Sequence, residues 1–138
     1  MARPSGVGTV VGAVVQRLRA TGGVTALVPA PQIVSDAVGM VRPFVLVEHV
    51  TETDDDTLTL GGVDAIVSTT IVSDYQGAKE IGQIASALRE SLDGLEMTVA
   101  GFSGAADVSY DQAVGEYVDD IANVRVRHRP LWFRVRAL

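Results

Sequence analysis

With 138 residues, 47% of them hydrophobic and 20% charged, the chain has material for one domain, 1–138, able to bury roughly two thirds of its unfolded surface. It lacks cysteine, which excludes disulfides, thiol catalysis, thiolate zinc sites and iron–sulfur clusters, and its two histidines, His49 and His128, are far apart in sequence. The net charge of −6 is unevenly spread: all 17 acidic residues lie between Asp36 and Asp120, broken only by Arg42, Lys79 and Arg89, while the flanks hold Arg3, Arg17, Arg19, Arg125, Arg127, Arg129, Arg134 and Arg136 and no acid. Two arrangements follow from that segregation. Either the termini pack beside the acidic middle within one molecule, or opposite patches meet between identical subunits, as a head-to-tail contact requires.

Met1 to Gly6 reads as a loose arm. Val7, Val10, Val11, Val14, Val15 and Leu18 then fall at helical spacing, predicting a helix over about Val7–Ala20 that Gly22 and Gly23 stop. The apolar run is far too short for a membrane span, and its helical pattern argues against a secretion signal. One more turn is expected over Val24–Val28, then a short edge strand over Gln32–Ser35. RPFVLVEHV gives a strand from Phe44 to Val50, with Phe44, Leu46, Glu48 and Val50 on one face and Val45, Val47 and His49 on the other. Thr51 to Gly62 is the most polar segment. It is expected as a long arm between two antiparallel strands, the alternative being a tight hairpin at Gly61 and Gly62.

The stretch Val63–Leu92 is the centre of the reading. Val63–Val72 suits a strand, and Ser73 with Gln76 reads as a capping box opening a helix at about Asp74. Ala78, Ile81, Ile84, Ala85, Leu88 and Leu92 make one apolar stripe along that helix. After a turn at Asp93 and Gly94, strands are expected over Leu95–Ala100 and Ala106–Ala113, separated by a turn at Gly101–Gly104. Val114–Asn123 reads as an acidic connection, and a long strand closes the chain over Val124–Ala137. In that strand the apolar residues change sides after Pro130, which suggests a bulge there. The fold class is therefore α+β: an antiparallel or mixed sheet of four to five strands with two helices on one face.

Motifs for catalysis are thin. Gly6, Gly8 and Gly12 follow no strand and have the wrong spacing for a dinucleotide turn. The adjacent carboxylates Asp54, Asp55 and Asp56 diverge and lack the alternate spacing of a calcium loop, so they suit a solvated tip or a docking surface for a basic partner. Ser103 in GFSG lacks the flanking pattern of a nucleophile elbow and reads as a turn. Arg125, Arg127 and Arg129 share a strand face but have no interleaved aromatic platform, so pairing with carboxylates is favoured over nucleic-acid readout. Trp132 and Phe133 face opposite ways: one belongs to the core, and the other is a candidate interface anchor.

The order of these signals resembles the tail terminator, or tail-completion, proteins of long-tailed bacteriophages. The matching features are a short amphipathic helix leading into VTALV, the strand RPFVLVEHV, a polar arm, a strand running into SDYQGAKEIGQIASALRESL, and the closing strand RPLWFRVRAL. The likeness spans about Val10 to the C-terminus, and Val114–Asn123 has no counterpart in it. What the resemblance implies is a structural subunit, not an enzyme, without cofactor or metal. About six copies would form a ring at the head-proximal end of the tail tube, ending tube polymerisation and joining the head. The implied partners are further copies of the chain, the major tail tube protein and a head-completion or neck protein, with DNA only passing through and no membrane. The implied location is the tail and neck of the virion, after assembly in the bacterial host cytoplasm. Glu52, Asp54, Asp55, Asp56, Arg125, Arg127, Arg129 and Trp132 are then the candidate contact residues. Another head–tail connector, a tube-related virion protein, or a small ligand-binding domain or hydrolase are the alternative readings.

Overall fold

The long strand β3, Gly62–Ser73, lies between two others almost as long, β2 (Phe44–Asp55) and β7 (Val124–Ala137). The computed structural model describes residues 6–36, 41–55, 62–74, 78–99, 105–121 and 124–137. The sheet has seven strands in the order β1-β2-β3-β7-β5-β4, with β6 paired to β7 alone. Its other strands are β1 (Ile33–Val34), β4 (Leu95–Thr98), β5 (Ala105–Ala113) and β6 (Tyr117–Ile121). β1 runs parallel to β2 and every other pair is antiparallel, so the sheet is mixed and larger than the four to five strands expected.

Helix α1, Gly6–Arg19, and helix α3, Ala78–Leu92, pack on one face of the sheet. Val10, Val14 and Leu18 of α1 and Ile81, Ile84, Leu88 and Leu92 of α3 are buried against Val45, Val47, Val67, Ile71, Leu131, Phe133 and Val135. The helical stripes follow the expected spacing, and each such side chain contributes roughly 1.5–3 kcal/mol on burial. α1 ends at Arg19, ahead of Gly22 and Gly23 as expected, and the two glycines then open a short helix α2, Gly22–Thr25, whose Val24 is buried. Thr21 Oγ1 lies 2.9 Å from Ser91 Oγ, tying the α1–α2 corner to the end of α3. Arg19 Nε donates to the carbonyl of Ile33 at 2.9 Å, so this basic residue anchors β1.

α3 is described from Ala78, and residues 75–77, next to the expected start near Asp74, lie outside the described residues. Ser73 is the last residue of β3, and its hydroxyl donates to Glu80 Oε1 at 2.7 Å, so the strand is fastened to the first turn of the helix. Gln76 lies outside the described residues, as do the 1–5 part of the expected arm and the Gly101–Gly104 turn. α3 ends at Leu92, and Gly94, at φ +77°, makes the reversal into β4 that only glycine adopts without strain.

The polar segment after Val50 is strand, not open loop, as far as Asp55. The register sets Asp55 opposite Gly62 and Asp54 opposite Val63, which is not the tight Gly61–Gly62 hairpin. A register shift between His49 and Thr51 leaves Val50 as the extra residue of a bulge. Two further expectations about the end of the chain change. First, β6 occupies the stretch read as a connection, so β5 and β6 together form an interrupted strand along one side of β7. Secondly, β7 carries no bulge at Pro130: its register with β3 is unbroken from Val63–Ala137 to Ser73–Arg127. The apolar residues change sides because the helix-packed core reaches only the second half of the strand. Leu131, Phe133 and Val135 face the helices, whereas Arg127 and Arg129 on that same face lie beyond the apolar cluster. Pro130 is tolerated because its carbonyl, and hence its missing N–H, points to the 114–116 interruption, where Val114 N donates to it at 3.1 Å.

Candidate functional site

The two groups of charged residues singled out in the sequence are placed at opposite ends of the β3–β7 ladder. Glu52, Asp54 and Asp55 are on the part of β2 paired with residues 62–65, next to Val135–Ala137 of β7. Asp56 lies outside the described residues. Arg125, Arg127 and Arg129 are on the first half of β7, where its partners are β6 and the end of β3. At about 3.3 Å per residue, Arg125 is roughly 36 Å along the strand from Arg136. The acidic arm and the basic stretch therefore do not meet within one molecule.

The three arginines are not equivalent. Arg127 Nη1 donates to Glu116 Oε1 at 3.0 Å, an ion pair within the chain. Arg125 is exposed and Arg129 partly so, and among the described residues neither has a carboxylate partner. Trp132 is half-buried opposite Ser68 on the sheet face away from the helices, while its neighbour Phe133 is wholly buried in the core. Phe133 meets Tyr110 edge-on at 5.8 Å, and the Arg89 guanidinium lies 4.0 Å over the Tyr110 ring.

Pairs that sequence reasoning missed depend on register. Asp64 of β3 and Arg134 of β7, 70 residues apart, form a two-pronged ion pair, with Arg134 Nε donating to Asp64 Oδ1 at 2.9 Å and Nη2 donating to Oδ2. Arg136 Nε adds a contact of 3.6 Å to the same carboxylate. These hydrogen bonds and charges hold the Asp64 carboxyl below its usual range, against the opposing effect of burial. At the other end, the rings of Tyr117 and His128 stack at 4.5 Å and 5°. His128 Nε2 is buried, without a hydrogen-bond partner, and 3.5 Å from Asp119 Oδ2.

His128 makes the pH dependence testable. Burial lowers its pKa from 6.5, outweighing Asp119 and acting in the same direction as the nearby Arg42 charge. The neutral imidazole is thus the form that the fold favours, so its stabilising contribution is complete above pH 6.5 and is lost as the pH falls through the depressed folded value. Thermal melts should show the midpoint falling below pH 6.5, with a shallower fall in His128→Gln.

His49, on the face that Val45 and Val47 share, also has a buried Nε2 without a hydrogen-bond partner. Ser103 lies outside the described residues. An open groove of about 400 Å³ is lined by Ser86, Arg89, Glu90 and Asp93, with neither histidine in it. Among the described residues, no three His, Asp or Glu side chains are grouped to hold a metal ion, and no helix is long and apolar enough to cross a membrane.

Comparison with known proteins places this geometry. No curated protein matches the chain. A chain from a solved structure described as the virion of a native gene transfer agent particle superposes with a TM-score of 0.70 at 24% identity, over 94% of this chain and 95% of that one, a likeness of fold. The family model described as tail completion protein gp17 matches residues 12–137, a span that runs from within α1 through α3 and all seven strands. On that match, the chain belongs to the tail completion protein gp17 family.

Proposed function

We propose that this protein is a structural component of a phage-like virion, forming a ring of about six copies that caps the head-proximal end of the tail tube, ends its growth and joins it to the head. Membership of the tail completion family supports the tail role, and the virion described for the structural neighbour agrees with it. The observation that carries the ring is the placement of the acidic arm and the basic stretch at opposite ends of the β3–β7 ladder. A closed ring uses two different surfaces of each subunit, and opposite charges on those surfaces favour head-to-tail contact while opposing like-to-like contact. The partners are other copies, the tail tube protein and a neck protein. The work involves no catalysis and no cofactor, and DNA passes through without sequence readout.

Glu52, Asp54, Asp55 and Asp56 on the arm, and Arg125, Arg127, Arg129 and Trp132 on β7, are the contact residues of this reading, towards a neighbouring copy or an axial partner. Replacing Asp54, Asp55 and Asp56 together with Asn should weaken assembly several-fold at low salt, and less at high salt where screening has already reduced the attraction. The purified chain, alone and mixed with tail tubes, would be followed by light scattering and negative-stain images. Rings alone or at one tube end support the function; a monomer that ignores tubes overturns it, and unchanged assembly of the triple variant removes the arm from the contact.

A further inference from the structure

We propose that the β6–β7 hairpin is an arm by which one copy of the chain holds a second copy, seating its arginines against Glu96 and Asp107 at the far end of that copy's sheet. The inference rests on the ring reading in taking the partner to be another copy, and it deepens that reading by naming Glu96 and Asp107, which lie at the same end of the sheet as the acidic arm, as what Arg125 and Arg129 meet. It begins with a hairpin whose β6 strand and tip the fold leaves exposed, although Val126 on it is buried. β6 pairs with β7 alone, and Tyr117, Val118, Asp119 and Asp120 are exposed, as are Val124 and Arg125 across from them. Five large hydrophobic side chains stay exposed among the described residues, and three of them, Tyr117, Val118 and Val124, are on this hairpin. A two-stranded ribbon gains little stability by itself, so a projection with this much apolar surface needs a function outside its own fold. Arg125 and Arg129 have no carboxylate partner among the described residues, even though Asp120 is opposite Arg125 in the register.

The complement lies on the sheet face away from the helices. Glu96 of β4 and Asp107 of β5 are direct cross-strand partners, both exposed. Like charges in that position oppose each other. Arg136 is the next residue in the same row, opposite Asp107, but its guanidinium is turned to Asp64 at 3.6 Å. Among the described residues, neither Glu96 nor Asp107 makes an ion pair. A cation brought from outside would relieve that opposition, and the copy's own Arg125 and Arg129 cannot bring it, being roughly 36 Å and roughly 23 Å away from the Arg136 row along β7. A second copy can, and the contact is then heterologous: hairpin of one against row of the next.

A charge swap tests the pairing. Arg125→Glu with Arg129→Glu, and separately Glu96→Lys with Asp107→Lys, should each weaken self-association roughly tenfold or more. Arg125, Glu96 and Asp107 are exposed and Arg129 is partly so, so circular dichroism should be unchanged, and Arg125→Glu alone, with the melting midpoint unchanged, separates the contact from any effect on folding. An equimolar mixture of the two variants should regain assembly, because each mismatched surface meets its complement on the other variant. Variants that assemble like the parent, or a mixture that stays dissociated, overturn the proposal. The ring reading is judged separately by images of the parent protein. Closed rings untouched by either variant keep the ring and remove the hairpin contact; swap-dependent association into pairs or open chains keeps the hairpin and removes the ring. A parent chain that is monomeric at every concentration, alone and with tail tubes, overturns both.

Discussion

Replacing Phe133 with Ala should cost about 3–5 kcal/mol and lower the melting midpoint by roughly 10–20 °C. Phe133 is among the largest of the wholly buried side chains and sits on β7 between β3 and β5, opposite Val67 on one side and Tyr110 on the other. Truncation removes the ring from a close-packed cluster that includes Leu88 of α3 and Val108 of β5, and deletes the edge-on contact with Tyr110 at 5.8 Å. Both neighbouring strands are fixed by their own hydrogen-bonded ladders, so the site cannot collapse and a cavity remains. Chemical denaturation followed by far-UV circular dichroism, which serves both variants, would measure the loss. Trp132→Phe, on the half-buried outer face, should cost less than half as much, and a comparable loss in the two variants would contradict the assignment of Phe133 to the core.

The second large effect is expected in α3. Leu88→Ala removes a wholly buried side chain one turn from Ile84 and from Leu92, and should cost about 2–5 kcal/mol. Glu90→Ala, on the exposed side of the same helix, should change stability by no more than about 0.5 kcal/mol. The contrast isolates packing from helix propensity, since both substitutions introduce the best helix former. Equal effects would mean that the stripe is not what holds α3 to the sheet.

These two residues also mark what local pattern makes legible. Leu88 belongs to a run of apolar positions at helical spacing, and Phe133 to a run of alternating ones, so both elements were expected before any contact was known. Trp132 and Phe133 could be assigned to opposite faces for the same reason, but not which of them met the helices. β6 shows the limit. Tyr117–Ile121 carries two adjacent aspartates and no apolar alternation, because almost none of its described side chains is buried, and a strand with neither face covered leaves no period to read. The apparent bulge at Pro130 has a related cause. The side chains report where the helix-packed core covers a face, and that cover stops partway along β7 while the backbone register runs on.

The candidate site divides in the same way. The segregation of acids and bases is a property of the sequence, and it pointed to the acidic arm and the arginines of β7. Their separation to opposite ends of the ladder, the capture of Arg127 by Glu116, and the meeting of Asp64 with Arg134 across 70 residues are set by strand order and register. The sequence by itself determined the elements that carry an apolar period, the buried stripes of the two main helices and the charge blocks, because periodicity and composition act within a few residues of one another. Only the tertiary structure decided which charges pair, which strand stays uncovered and which ends carry unlike charge, because a register is chosen by the summed fit of distant residues, and no short stretch contains that sum.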